Sequence, residues 1–197
     1  MSKAAPDTGH GGSTKAPRAD AARNRGKLVT AARALFAEAG VDAPLEKVAA
    51  EAGVGIGTLY RHFPNRQTLI EAVYRDQSEE IVAEVQRLHA TLPPDEALAA
   101  VFVVYLDNAA SKRGMKEVIL AEVGADAPVF VESRDRGRAA IGAILEAGQT
   151  QGIFRTDITD EDVFRMIGGL SMTCRADEPM SRSTPLVRVV IDGLRPR

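Results

Sequence analysis

The stretch from residue 48 to residue 66, VAAEAGVGIGTLYRHFPNR, constrains this chain more than any other. Its pattern predicts two short helices joined by a tight turn at Gly53, because glycine tolerates the positive φ that ends a helix. The first helix carries one apolar stripe at helical spacing, formed by Leu45, Val48, Ala49 and Ala52. The second helix runs from about Ile56 to Phe63, and its Leu59 and Phe63 point into the same core. The chain therefore contains a helix-turn-helix.

The outer face of the second helix is poorly explained by packing alone. It presents small, hydroxyl, aromatic and cationic side chains, namely Gly57, Thr58, Tyr60, Arg61 and His62. Hydroxyl and cationic groups bind phosphates and base edges, and a helix of this width fits the major groove of DNA. The face is therefore predicted to bind double-stranded DNA.

Two motifs in this region resemble the tetracycline-repressor (TetR) family. In that family a helix of A-x-x-L-F-x-x-x-G type precedes a helix-turn-helix ending in T-L-Y-x-H-F-x-[ND]-[KR]. This chain has the matching residues at the same spacing: Ala32, Leu35, Phe36, Gly40, Thr58, Leu59, Tyr60, His62, Phe63, Asn65 and Arg66. The chain departs from the pattern before the first helix of the pair, where Ala43-Pro44 replaces the frequent Ser or Thr cap and its hydroxyl.

The DNA contacts are expected along this helix and at the ends of its neighbours. The resemblance implies contacts from Thr58, Tyr60, His62 and Arg66, and the last also lies at a helix start, where anions are favoured. The full predicted set is Arg25, Lys27, Ile56, Gly57, Thr58, Tyr60, His62 and Arg66. The alternatives are partial burial of Tyr60 against the first helix and a hydrogen bond of His62 within the module.

Charge is distributed unevenly along the chain. Residues 1–66 carry ten Lys/Arg and six Asp/Glu, whereas residues 67–197 carry fifteen and twenty-one. A basic N-terminal third beside an acidic remainder fits a phosphate-facing module on a body that avoids phosphate, although compositional drift explains it equally well.

The one cysteine, Cys174, excludes a disulfide framework within the chain, and no membrane span or signal peptide is visible. We expect a cytoplasmic protein with no membrane partner, and the resemblance implies a bacterial protein that is nucleoid-associated when bound to DNA.

Periodicity along the whole chain supports an all-α fold of about nine helices. Residues 1–19 are predicted to form a disordered tail, residues 20–66 the DNA-binding domain, and residues 67–197 an effector-binding and dimerisation domain. Asn65 caps a long fourth helix, and Thr159 with Asp162 makes a capping-box-like start near the C-terminus. A break at Gly114 is expected to separate a helix ending near Ser111 from a short helix over residues 116–123.

Effector and dimer sites follow from the resemblance, because TetR-like proteins bind an organic effector between the middle helices and dimerise through the last two. The implied effector-binding residues are Phe102, Tyr105, Leu106, Asn108, Met115, Ile119, Ile141, Leu145, Ile167 and Met172. Apolar residues at this spacing are also what an ordinary core requires. The implied dimer interface consists of Phe164, Ile167, Gly168, Val190 and Leu194.

Catalysis, metal binding and cofactor binding find little support. None of His10, His62 and His89 has a second ligand at metal-binding spacing that also fits a pocket, and the acidic run 160–162 favours a helix N-terminus. The sequence thus predicts a DNA-binding transcription regulator, and the resemblance implies a repressor that binds a palindromic operator as a homodimer and is released by a small organic effector. Two competing classes are a small-molecule sequestering protein without a regulatory role and an all-helical enzyme.

Overall fold

The computed structural model describes residues 15–124, 126–173 and 184–196, with side chains absent from the description at 15–18, 110–114, 122–123 and 173. These residues form eight helices: α1 (Lys15–Ala39), α2 (Leu45–Glu51), α3 (Ile56–His62), α4 (Arg66–Thr91), α5 (Pro94–Val123), α6 (Pro128–Thr150), α7 (Asp160–Thr173) and α8 (Thr184–Gly193). The described ranges contain no strand, and the all-α class is confirmed. Cys174 and His10 lie outside them.

Two helices differ from the sequence-based expectation. Helix α1 begins at Lys15, inside the segment 1–19 predicted to be a disordered tail. Helix α5 continues through Gly114, where a break was expected. A glycine inside a helix costs only about 1 kcal/mol relative to alanine. Met115 and Ile119 in the following turns are buried, and their burial offsets that cost. Burial on the far side of the glycine thus keeps the helix continuous.

Helices α1, α2 and α3 form the N-terminal module, which packs on the first turns of α4. The turn between α2 and α3 is a Schellman motif: Val54 N–H donates to the Ala49 carbonyl at 3.0 Å, and Gly53 N–H donates to the Ala50 carbonyl at 3.0 Å. Gly53 has a φ of 68°, as the sequence predicts. Leu59 and Phe63 are then carried into the module's core, where they are buried.

Side-chain caps fix two helix starts that the sequence predicts. The Asn65 side chain accepts a hydrogen bond from Thr68 N–H at 2.9 Å, which caps α4. Before α7, Thr159 N–H donates to the Asp162 carboxylate at 2.9 Å, and Asp162 N–H donates back to the Thr159 hydroxyl at 3.3 Å. The Thr159 hydrogen bonds also lower the pKa of Asp162. Both caps are confirmed.

Helix α4 passes through two hydrophobic cores. Val73 belongs to the core of the N-terminal module, whereas Ile81 belongs to the core of the body formed by α5 to α8. Between them α4 buries two polar side chains, Gln77 and Ser78. The last turns of α5 and the first turn of α6 also pack into the module's core. The module's core is therefore completed by three further helices: α4, α5 and α6.

Candidate nucleic-acid interface and ligand cavity

Helix α3 has one buried face and one free face. Leu59 is buried completely, while Tyr60 is 46% exposed and Ile56 is 38% exposed. Gly57 is exposed and Thr58 is half-buried. The structure therefore places the apolar anchors inward and leaves Ile56, Gly57 and Tyr60 of the predicted DNA face exposed. A helix held this way is suited to a groove.

Two further predicted DNA residues lie at the C-terminal end of α3. His62 is half-buried, with its ring centre 6.4 Å from that of the neighbouring Phe63. The exposed guanidinium of Arg25 lies over the Phe63 ring, 5.2 Å from its centre. This cation–π contact holds a positive charge of α1 beside α3.

Arg66 has an internal role that the sequence did not indicate. Its Nη1 donates to the carbonyl oxygens of Val41 at 2.8 Å and Ala43 at 2.6 Å. These carbonyls belong to the loop before α2, which begins without a side-chain cap. Arg66 thus ties the start of α4 to the start of the helix-turn-helix. Its predicted phosphate contact stays a prediction.

Cations of the N-terminal module are less neutralised than those along α4 and α6. Lys27, Lys47 and Arg61 are exposed and form no ion pair with any residue in the described ranges. By contrast, the Arg136 guanidinium of α6 contacts the Glu79 carboxylate of α4 at 3.0 Å. Unpaired cations around α3 supply a positive potential for phosphate.

A cavity lies between α4, α5, α6 and α7. It has two overlapping lobes of about 450 Å³ and about 500 Å³. Both lobes are lined by Tyr74, Ile81, Tyr105, Lys116, Leu120 and Gly168. One lobe adds Asn108, Ala109, Glu117, Ser171 and Met172, and the other adds Ser78, Phe130, Ser133, Arg134 and Phe164. This size and this mixture of apolar walls with a few polar groups are typical of a small-molecule site.

Aromatic pairs shape the cavity walls. The ring of Tyr74 meets Phe130 edge to face with centres 5.2 Å apart, and Tyr105 meets Phe164 in the same way at 6.2 Å. Burial raises the pKa of Tyr105 to about 12, so its phenol stays protonated at neutral pH. The Tyr105 hydroxyl forms no hydrogen bond with the residues described, which leaves it available to a ligand.

Gly137 of α6 has no side chain, and the Tyr105 hydroxyl fills the space that this leaves. A Cβ at position 137 would lie 2.5 Å from the Tyr105 hydroxyl oxygen and 3.3 Å from Phe164 Cε2. Both distances are shorter than an ordinary van der Waals contact. The missing side chain at Gly137 thus sets where the phenol lies in the cavity.

Of the ten residues predicted to bind an effector, three line the cavity: Tyr105, Asn108 and Met172. The other seven are buried in the two cores and are absent from the cavity wall: Phe102, Leu106, Met115, Ile119, Ile141, Leu145 and Ile167. Helical spacing identifies a buried face, but it does not distinguish a face that meets another helix from one that meets a gap. The effector contacts predicted for these seven residues stay predictions.

The predicted dimer residues are placed differently from the expectation. Ile167 and Leu194 are buried within the chain's own core, so they are not free to contact a partner. Gly168 and Phe164 line the cavity. Val190 is half-buried against the body. Ile167 and Leu194 lie on the apolar stripes with which α7 packs on α5 and α6 and α8 packs on α5.

The described residues contain no cluster of three or more His, Cys, Asp or Glu side chains that could hold a metal ion. In the same ranges, no helix combines the length and the apolar character needed to cross a membrane.

Comparison with known proteins assigns both halves of the chain. Residues 28–73 match the family described as bacterial regulatory proteins, tetR family. Residues 93–196 match the family described as transcriptional regulator SbtR-like, C-terminal domain. The chain belongs to the TetR family. It is a DNA-binding transcription regulator, as the outward face of α3 indicates.

TetR-family relatives cover most of the chain. The chain is 30% identical over 154 residues to the HTH-type transcriptional repressor KstR2 of Mycolicibacterium smegmatis, covering 74% of this chain and 75% of the relative. It is similar to the crystal structure of the TetR transcriptional regulator SCO0520 from Streptomyces coelicolor, at 40% identity and a TM-score of 0.72, covering 87% of this chain and 98% of that one. A TetR regulator from Mycobacterium vanbaalenii matches at 33% identity and a TM-score of 0.71, covering 91% and 99%.

Sequence reasoning missed several side chains that line the cavity. Tyr74, Lys116, Phe130, Ser133 and Arg134 were not predicted as ligand residues, and they come from α4, α5 and α6. One signal was present for Tyr74, since an aromatic residue with a hydroxyl on an otherwise aliphatic helix face suggests a polar surrounding. Lys116 and Arg134 carry no such local signal, because exposed cations are common on any helix.

Proposed function

We propose that this protein is a repressor that binds a near-palindromic operator as a homodimer and leaves it when a small organic molecule occupies the cavity. The observation that carries the proposal is the free face of α3, where Ile56 and Tyr60 project from a helix anchored by Leu59 and Phe63. The repressor sense is supported by the relative from M. smegmatis, which is named a transcriptional repressor.

Dimerisation is proposed through the outer face of α8 instead of the residues predicted from sequence. Val187, Ile191 and Leu194 are buried, whereas Leu186 and Val189 are 47% and 69% exposed. Two large apolar side chains one helical turn apart on a short helix are costly in water, and covering them with a second copy removes that cost. A two-fold dimer also matches a palindromic operator.

Ligand release is proposed because two helices that line the cavity, α4 and α5, also pack in the core of the N-terminal module. On α4, Tyr74 lines the cavity next to Val73, which packs in the module's core. On α5, Lys116 and Leu120 line the cavity beside Met115 and Ile119, which pack in that same core. A ligand shifts DNA affinity only by its preference for one arrangement of these helices.

The proposal is tested by selecting duplexes from random sequence with the purified protein and weighing the complex by analytical ultracentrifugation. We expect an enriched palindrome with half-sites about one helical turn apart and two protomers on each duplex. Val189→Arg should yield monomers and lose the enriched palindrome, while Arg188→Gln, a neighbouring change at an exposed cation, should leave both intact. Enrichment of no sequence, or one protomer per palindrome with full affinity, would overturn the proposal.

A sequestering protein without a regulatory role is the competing function. It predicts ligand binding without preference for any DNA sequence, so the selection distinguishes the two. The proposal includes no catalytic role, because the cavity residues Tyr105, Asn108, Ser133 and Ser171 have no His partner among the lining residues to activate a nucleophile.

A further inference from the structure

Two cations from different helices line the same lobe of the cavity. Lys116 belongs to the last turns of α5, and Arg134 belongs to the second turn of α6. Lys116 is exposed and forms no ion pair with any residue in the described ranges. Within the same ranges, the one ion pair of Arg134 is a long contact of 3.7 Å to the adjacent Asp135 carboxylate. No close partner among the described residues therefore neutralises either charge.

The other walls of this lobe are aromatic and hydroxylic. Phe130 and Phe164 supply ring edges, and Tyr105 supplies a phenol with a free donor. Ser133 lies on α6 directly before Arg134 and donates its own hydroxyl to the Val129 carbonyl at 2.6 Å. Aromatic rings and two cations in the lining of one lobe match a ligand that has a ring body and a negative end.

We propose that the effector cavity selects an organic anion: a ring-bearing carboxylate whose rings pack against Tyr105 and Phe164 and whose carboxylate is bound by Lys116 and Arg134. This inference rests on the proposed function, because it names the chemistry of the molecule that the cavity receives. One carboxylate, Glu117, lines the neighbouring lobe, so a cationic ligand is the opposite outcome that the experiment must separate.

An anion held here would join two segments that contact the DNA-reading module. Met115 and Ile119 lie beside Lys116 on α5 and pack in the module's core. Val129, on the first turn of α6, packs in the same core. A carboxylate that draws Lys116 and Arg134 together therefore displaces the parts of α5 and α6 that support α1 to α3. Binding of the anion is in this way coupled to the position of α3.

The experiment compares three probes that share a naphthalene body: naphthoate, the neutral naphthamide and the cationic naphthylmethylammonium. Affinities are measured by isothermal titration calorimetry with the full chain at pH 7 and at two salt concentrations. We expect naphthoate to bind about tenfold more tightly than naphthamide, as a charge-assisted pair of hydrogen bonds provides. Only the naphthoate affinity should fall as salt rises, because salt screens exposed charges.

Lys116→Gln and Arg134→Gln, singly and together, remove the cations while keeping hydrogen-bonding side chains. Each should bring the naphthoate affinity toward that of naphthamide and leave the naphthamide affinity unchanged. Lys47→Gln is the matched control, since it removes an exposed lysine of α2 that does not line the cavity. Circular dichroism checks that each variant is folded. Retained naphthoate preference in the folded double variant would overturn the assignment of these two residues.

Three other outcomes contradict the inference: naphthamide binding as tightly as naphthoate, naphthylmethylammonium binding most tightly, or no binding by any probe at millimolar concentration. Operator affinity is measured separately with and without naphthoate. A protein that prefers naphthoate but keeps its operator affinity would uphold the anion site and contradict ligand release. A protein that binds no operator would contradict the proposed function independently of the cavity.

Discussion

The Arg25 guanidinium carbon lies 5.2 Å from the centre of the Phe63 ring, so an exposed cation of α1 rests on the buried end of α3. Phe63 therefore does more than fill the module's core, because its ring also orients a charge at the DNA-facing end of the helix pair. The two residues are far apart in sequence and belong to different helices, so the fold alone brings them together.

Replacing Arg25 by glutamine should weaken binding to all duplexes alike. The change removes a positive charge beside the DNA face, so the slope of log affinity against log salt should become shallower by about one. Fluorescence anisotropy across a salt series measures this slope. Arg33→Gln is the control, since Arg33 pairs with Glu80 of α4. An unchanged slope for Arg25→Gln would remove Arg25 from the interface.

Replacing Arg66 by glutamine should destabilise the module. It removes two hydrogen bonds to the Val41 and Ala43 carbonyls, and we expect a loss of about 1–3 kcal/mol in the free energy of unfolding. Denaturant unfolding followed by circular dichroism measures it. Arg61→Gln, an exposed and unpaired control, should change stability by less than about 0.5 kcal/mol. Wild-type stability with a shallower salt slope would instead place Arg66 on a phosphate.

Gly137→Ala should destabilise the protein by about 1–3 kcal/mol, because the added methyl overlaps the Tyr105 hydroxyl oxygen. Tyr105→Phe removes that oxygen, so the double variant should recover most of the loss in a double-mutant cycle. Gly26→Ala is the helical control, since a Cβ there meets no atom within 4 Å. Losses that simply add would show that the phenol does not occupy the space over Gly137.

Gln77→Met should stabilise the protein. The Gln77 side-chain oxygen is buried and has no hydrogen-bond partner among the described residues, and removing such a group returns about 1–3 kcal/mol. Thermal unfolding measures the change. Gln67→Met is the control, because Gln67 Nε2 donates to the Glu71 carboxylate at 2.9 Å and loses that bond. A lower melting temperature for Gln77→Met would mean that the amide has a partner in solution, such as water.

The local parts of this structure could be predicted from sequence, and the parts set by packing between distant segments could not. The Gly53 turn, the Asn65 cap and the Thr159–Asp162 box depend on neighbouring residues, so their spacing is visible in the chain. The continuity of α5 through Gly114 depends on burial against other helices. Local pattern cannot supply that information.

The candidate sites divide in the same way. The outward face of α3 follows from its helical period, and Tyr60 is exposed as that period predicts. The cavity wall does not follow, because Phe102 and Ile141 have the same apolar spacing as a ligand wall and yet pack in solid core. Whether a buried face meets a gap depends on how four helices cross, and the positions of Lys116 and Arg134 depend on that crossing.

We infer that α3 reads base edges while the surrounding cations bind phosphates without regard to sequence. The direct measurement is the ratio of affinities for the selected palindrome and for a scrambled duplex of the same composition, by fluorescence anisotropy at fixed salt. For Thr58→Ala/Tyr60→Ala we expect the ratio to fall at least tenfold, with little change on the scrambled duplex. Lys27→Gln should instead lower both affinities and keep the ratio. A folded Thr58→Ala/Tyr60→Ala variant with the wild-type ratio would contradict the claim.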